Sequence, residues 1–153
     1  MAVQKTNGYP YSQFNFRVKI DKDDGTGVNA GFQEVGGLGT EIHIAEYRAG
    51  NYKDNSPIKV NGSYKVPDVT LKRGVIGELA TLHAWVKALR DGQADVMRTV
   101  TIELLSEDRT AAVQTWTLTN ARPMKYTGPA LTGKGTDVAI EEIVLSCEHI
   151  EVT

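Results

Sequence analysis

The sequence holds a single cysteine, Cys147, among 153 residues. An internal disulfide is therefore impossible, and a lone thiolate cannot build a structural zinc site; the expectation is a reducing, cytoplasmic folding environment. Histidine is nearly as scarce. His43, His83 and His149 show no helical metal-ligand spacing such as H-E-x-x-H. Basic charge is not in excess: 17 Lys and Arg stand against 19 Asp and Glu, for a net charge of −2. That balance excludes a protein that grips nucleic acid through a broad basic face. Aromatic residues make up only 7%, and few fall between Lys65, Lys72, Arg73, Lys87 and Arg90, so no stacking platform for bases is built. No run approaches the roughly 18 apolar residues of a membrane span, and stable membrane insertion by the chain itself is not expected. Met1 to Gly8 lacks the apolar core of a secretory signal, so the expected routes out of a cell are lysis or incorporation in a particle.

What remains is an ordinary globular composition, 41% hydrophobic and 24% charged. The length suits one domain, residues 1–153, which can bury roughly 70% of its unfolded surface. The dominant pattern is strand-like. Phe14 to Ile20 alternates apolar and polar residues strictly, as a half-buried strand does, and the Asp- and Gly-rich 21–27 follows as a turn. Ala30 to Val35 reads as a second strand, stopped by Gly36-Gly37-Leu38-Gly39. Thr40 to Arg48 and Val69 to Lys72 alternate again around a polar loop, Ala49 to Pro57, with Asn61-Gly62 as a tight-turn dipeptide. This spacing predicts a long projecting hairpin over about 40–72. Its tip exceeds the usual connection of about 4–6 residues and so needs a reason.

One segment changes period. Leu79, Leu82, Trp85, Val86 and Leu89 recur at helical spacing, with Gly77 as N-cap and Asp91-Gly92 as the stop, predicting a helix over about 77–90. Burying that stripe is worth on the order of 8–15 kcal/mol before entropy, and the sheet is its only partner. Further strands follow. Thr99 to Leu104 points Val100, Ile102 and Leu104 inward. Gln114 to Thr119 sets Trp116 and Leu118 against Thr115, Thr117 and Thr119, and Pro123 is expected to end it. The last element spans Asp137 to Glu151 and is apolar on both sides, as a strand covered on both sides is. The fold class is mainly β: a β-sandwich or small barrel with one packed helix.

The near-catalytic motifs fall short. Gly128-Pro129-Ala130-Leu131-Thr132-Gly133-Lys134-Gly135 matches seven positions of a phosphate-binding loop, but Gly135 stands where Ser or Thr would hold magnesium, and a β-type pattern follows instead of a helix. Gly36-Gly37-Leu38-Gly39 lacks the third glycine and the helix of a dinucleotide site. Cys147 and His149 would share a strand face, without a third orienting residue. Glu141 and Glu142 face opposite ways on a strand, and an inward one needs an Arg or Lys partner. No catalytic residue, metal site or cofactor is expected.

The ordered set Phe14-x-Phe16-x-Val18, Gly31-Phe32-x-Glu34-Val35-x-Gly37-Leu38, Glu46-Tyr47-Arg48-x-Gly50-Asn51, Val69-Thr70-Leu71-Lys72-Arg73-Gly74, Trp85, Trp116-x-Leu118-x-Asn120-Ala121-x-Pro123-x-Lys125-Tyr126-x-Gly128-Pro129 and Val138-Ala139-Ile140-Glu141 resembles the tail-tube proteins of contractile injection systems. These include phage tail tubes, tubes of extracellular phage-tail-like particles and the type VI secretion tube. The similarity covers roughly residues 10–152; Met1 to Pro10 and the tip Tyr52 to Pro57 match nothing distinctive. The resemblance implies a structural, non-enzymatic subunit. Six copies would close a ring, and rings would stack into a hollow tube inside a contractile sheath. Baseplate and tail-terminator proteins would hold its ends, and DNA or protein cargo would pass through the lumen. Assembly would occur in the bacterial cytoplasm, with the mature location the inner tube of a virion tail or injection particle.

Three groups of residues then acquire candidate roles. Glu46, Tyr47, Arg48, Asn51, Tyr52, Lys53, Asp54 and Tyr64 on the long hairpin are candidates for contact between stacked rings. Thr115, Thr117 and Thr119 form a small, polar, uncharged face that suits a lumen, although threonine also simply suits a solvent-facing strand. Ile140, Glu141, Ile143, Val144 and Leu145 are candidates for a strand at the boundary between subunits, because an apolar strand without lysine or proline is an aggregation hazard when left exposed. The rival readings are a monomeric β-sandwich adaptor and a nucleotide enzyme using Lys134.

Overall fold

The computed structural model describes residues 8–21, 28–75, 80–93 and 96–153. In chain order the elements are β1 (Phe16–Asp21), β2 (Val28–Ala30), β3 (Glu34–Gly36), β4 (Glu41–Tyr47), β5 (Ile58–Lys65), β6 (Val69–Gly74), α1 (Ala80–Arg90), β7 (Arg98–Leu105), β8 (Ala112–Thr127), β9 (Ile140–Ser146) and β10 (His149–Val152). The fold is mainly β with one helix, as the alternation of apolar residues predicts.

All but two strands belong to one antiparallel path, β2-β1-β7-β8-β9-β6-β3, with β10 also on β8. β8 is long enough to serve two halves. Its first part pairs with β7 and β10, and its second part with β9. The path ends at β2 and β3 do not pair with each other, so the sheet folds over as an open sandwich. One core lies within it. Val18, Ile20, Val100, Ile102, Leu118 and Ile150 come from one half, and Val69, Leu71, Ile143 and Leu145 from the other. The registers explain why these alternate residues meet: Ile20 faces Val100, Val100 faces Leu118, and Leu118 faces Ile150.

The helix closes this core with Leu82 and the fully buried Trp85, whose indole N–H donates to the Val96 carbonyl. It stops where the sequence says it should. Gly92 sits at φ +82°, with Gly92 N–H on the Leu89 carbonyl and Gln93 N–H on the Ala88 carbonyl, the paired bonds of a Schellman cap. The expected N-cap at Gly77 and the first apolar position, Leu79, lie outside the described residues.

Five features differ from the sequence reading. The strand expected over Ala30 to Val35 is two strands in different halves, because the chain crosses from β1's edge to β6's edge at Gly31–Gln33. The hairpin spans Glu41 to Lys65, not 40–72; β6 returns to the main sheet. Asn61-Gly62 is not its turn. It lies inside β5 at a register shift, where a Cβ on Gly62 would come within 2.6 Å of the His43 carbonyl oxygen. Pro123 does not end its strand, since β8 runs through it to Thr127 with a bulge between Pro123 and Lys125, a place where a missing N–H is tolerated. The final element splits into β9 and β10 at Cys147–Glu148, opposite Asn120, which adopts φ +54°.

Candidate assembly surfaces

The hairpin is the most unusual surface. Every residue of β4 and β5 is exposed, and the ribbon meets the rest of the described residues at its base, where Tyr64 touches His149 of β10. Seven residues of extended chain reach roughly 24 Å, so the arm projects well beyond the sandwich. A two-stranded ribbon is marginal alone in water, yet this one leaves Ile42, Ile44, Tyr47, Ile58, Val60 and Tyr64 uncovered. Its tip is nonetheless organised. Arg48 donates to the carbonyls of Asp54 (3.1 Å) and Tyr52 (3.2 Å) and to Asn55 Oδ1 (3.5 Å), while Tyr47 and Tyr52 meet edge to face. At the base, the Tyr64 hydroxyl bonds His149 Nδ1 and ties the arm to β10. Of the eight arm residues singled out from sequence, Arg48, Tyr52 and Asp54 build the tip. Glu46 pairs across to Lys59 in the ladder, and Asn51 and Lys53 lie exposed in the loop.

Thr115, Thr117 and Thr119 share the outer face of one half, all half-buried. Their cross-strand neighbours widen the picture. Thr117 lies between Thr101 and Glu151, Thr115 opposite Glu103, and Thr119 opposite His149. Arg17 and Lys19 extend this face on β1, and both pair with Glu103. Burial pushes the Glu103 carboxyl up, but the hydrogen bond and charge of Arg17, with Lys19, prevail and hold it below the usual carboxylate range. The face is thus a neutral threonine row bordered by charges that largely cancel.

The candidate boundary strand is placed differently from expectation. β9 is a central strand, with β6 on one edge and β8 on the other. Ile143 and Leu145 are core residues of the same subunit, so their ladder cannot pair with a second copy; only Ile140 and the outward Val144 keep accessible side chains. Contrary to the expected strand covered on both faces, one face of β9 (Glu141, Ile143, Leu145) is buried and the other (Glu142, Val144, Ser146) is only half-buried. Within the main sheet, the unpaired edges among the described residues are instead the outer sides of β2, β3 and β10 and the 122–127 stretch of β8 away from β9, and both outer edges of the β4–β5 ribbon are unpaired too.

Glu141 is the inward member of its pair, and its partner is the buried Arg73, with Nε 3.0 Å from Oε1. Tyr126 donates to Oε2 at 2.7 Å, and His83 of the helix stands 3.7 Å from the same oxygen. Burial raises the Glu141 carboxyl, yet the bonds from Tyr126 and Arg73 outweigh it and leave it below its ordinary value. The hydrogen bond to Glu141 pushes the Tyr126 phenol up. Phe32 covers the guanidinium, 5.5 Å from the ring centre. The set joins β6, β8 and β9, and His83, which also meets the Tyr126 ring edge to face, is its one member from the helix.

The near-catalytic motifs resolve as ordinary structure. Lys134 sits in an exposed loop that leads into the strand β9, where a phosphate-binding loop leads into a helix. Cys147 lies between strands, and burial, with the charge of Asp68, pushes its thiol up, away from a reactive thiolate. Gly37 bends the chain at φ +87°, where a Cβ would fall 2.2 Å from the Asp68 carbonyl oxygen, so the glycine run serves backbone crossing and not a dinucleotide. No group of three metal-ligating side chains occurs among the described residues.

A family model described as T4-like virus tail tube protein gp19 matches residues 12–151. The chain belongs to this tail-tube family. Solved relatives agree along the whole length. The chain is 25% identical, at TM-score 0.82, to a subunit of the extended sheath-tube complex of the PVC extracellular contractile injection system, covering 96% of this chain and 93% of that one. It is 26% identical, again at TM-score 0.82, to a chain of the extended sheath/tube terminator of the same system, covering 95% and 97%. Hcp1 from Flavobacterium johnsoniae shares the fold at 14% identity and TM-score 0.53, covering 91% and 94%. No curated protein sequence gives a significant match. The protein is a structural tail-tube subunit of the contractile-injection type, and the family is not an enzymatic one.

Proposed function

We propose that this tail-tube subunit closes six to a ring, and that the rings stack, through the β4–β5 arm, into a hollow tube. The observation that carries this reading is the arm itself: an exposed ribbon with six large apolar residues, tied to the rest of the described residues at its base through Tyr64. Apolar surface of this kind marks a binding site for another protein surface. Open edges on β2, β3, β10 and the end of β8 supply lateral contacts in the ring, because closing a barrel removes exposed edges. The threonine face of β8, with Thr115, Thr117 and Thr119, lines the channel. Six chains at −2 each give a ring of −12, which repels phosphates weakly and lets DNA or protein cargo slide.

The tube's partners are a contractile sheath around it and terminator and baseplate proteins at its ends. Support comes from the PVC relatives, which were solved as a sheath-tube complex and a sheath/tube terminator. Subunits fold in the bacterial cytoplasm and end as the inner tube of the particle.

Negative-stain microscopy of the concentrated protein tests this directly. Stacked rings with a central hole are expected. Deleting Ala49 to Pro57 should leave the circular dichroism spectrum unchanged and abolish elongation. Only monomers from the wild type, or full-length tubes from the deletion, would refute the respective step.

A further inference from the structure

The buried Arg73–Glu141 pair leaves one hydrogen-bonding group over. In a guanidinium, Nε–H and Nη2–H point the same way and form a two-pronged edge that matches a carboxylate. Arg73 uses only the first prong, its Nε donating to Glu141 Oε1 at 3.0 Å. The other oxygen, Oε2, accepts from the Tyr126 hydroxyl at 2.7 Å instead. Arg73 Nη2 is buried, in a side chain only 8% exposed, and has no hydrogen-bond partner among the described residues. Phe32 offers the charge its ring at 5.5 Å but supplies no lone pair. A buried donor of a charged group without an acceptor is costly, and native proteins rarely leave one so.

Arg73 also lines a small cavity of about 10 Å³. Phe32, Leu71, Leu82 and Ile143 give it apolar walls, and Arg73, Tyr126 and Glu141 give it one polar side. Size and chemistry together name the occupant. A single water needs roughly 10–15 Å³, counted as the space open to its centre, so phosphate, a carboxylate or an organic ligand is too large. Nη2 donates, so the occupant accepts. The Glu141 and Tyr126 oxygens keep lone pairs after the bonds named above, so the occupant also gains by donating. A halide can only accept, and the Glu141 carboxylate would repel it; a cation would face the Arg73 guanidinium. Water alone of these both accepts and donates.

We propose that this protein holds one internal water between Arg73, Glu141 and Tyr126. It accepts from Arg73 Nη2 and donates to a free lone pair of a Glu141 or Tyr126 oxygen. With it, β6, β8 and β9 share one closed polar network, roofed by Phe32 of the crossover and Leu82 of the helix. The water is thereby part of the seam between the strands and is retained in the folded subunit, whether single or assembled.

A crystal structure of the full chain, at a resolution that shows ordered water elsewhere on the protein, tests the site. One spherical peak about 2.7–3.2 Å from Arg73 Nη2, and within the same reach of a Glu141 or Tyr126 oxygen, is expected. Arg73 Nη2 bonded to Glu141 Oε2 or to a backbone carbonyl, or an ordered Nη2 with no density in the cavity, would overturn the proposal. A bromide soak of the same crystals separates the two small spherical occupants. No anomalous peak is expected at the site; a bromide peak there would replace water with an anion and overturn the assignment.

Discussion

Removing the charge of Glu141 is the sharpest test of the buried ion pair that joins β6 to β9. Glu141→Gln keeps the shape and one acceptor but leaves the Arg73 guanidinium, with its side chain only 8% exposed, without its counterion. Breaking a buried pair from one side costs about 3–5 kcal/mol. Against a typical stability of about 5–15 kcal/mol, and a urea slope of about 1–3 kcal/mol per molar, the unfolding midpoint should fall by roughly 1–3 M. The paired change Arg73→Met with Glu141→Leu removes both charges together and should lie much closer to wild type, giving a coupling of about 2–3 kcal/mol in the double-mutant cycle. The acid side supplies a second reading. The Glu141 carboxyl is held below its ordinary value of 4.5, so its contribution is complete above that pH and is lost as pH falls through the lowered folded value. The gap between wild type and Glu141→Gln should therefore shrink on acidification. Urea unfolding followed by tryptophan fluorescence at pH 7 and at about pH 3 measures both quantities. A cost below about 1 kcal/mol at pH 7, or a gap unchanged at low pH, would refute the ion pair as a stabilising link between β6 and β9.

Three further outcomes are expected. Trp85→Ala should cost about 3–5 kcal/mol in thermal or urea unfolding, while Trp85→Phe costs less but loses the bond to the Val96 carbonyl; a wild-type melt for the alanine variant would show that α1 is not packed as described. Gly37→Ala forces a Cβ against the Asp68 carbonyl at positive φ and should cost about 2–4 kcal/mol, read from the shift in melting temperature. Leu145→Lys buries a charge in the subunit core and should give insoluble protein, whereas Val144→Lys, on the half-buried outer face, should fold, as comparison of soluble yield and circular dichroism will show.

Local pattern determined most of the secondary structure. Alternation placed Val18, Ile20, Val100, Ile102 and Leu118 in the core, because a period of two leaves no other way to bury them together. Helical spacing and Asp91-Gly92 located the end of α1, where the backbone needs a left-handed residue. The chain's emptiness of catalytic signatures was legible in the same way, since Lys134 and Cys147 lacked the neighbours their chemistry requires.

Pairing and placement were decided only in three dimensions. The apolar run of β9 reads identically for an edge strand awaiting a second subunit and for one already paired by β6 and β8, because side-chain pattern reports on faces and not on which strand takes the backbone hydrogen bonds of an edge. Pro123 could persist inside β8 because a bulge there needs no N–H, a fact set by the partner strand. An open groove between the N-terminal segment, the 31–38 crossover and β7–β8 brings together Phe14, Phe32 and Trp116 from segments about a hundred residues apart, and no local period could announce it. Arg73 and Glu141 met for the same reason: antiparallel register between β6 and β9 set them opposite each other, across a separation that sequence spacing cannot measure.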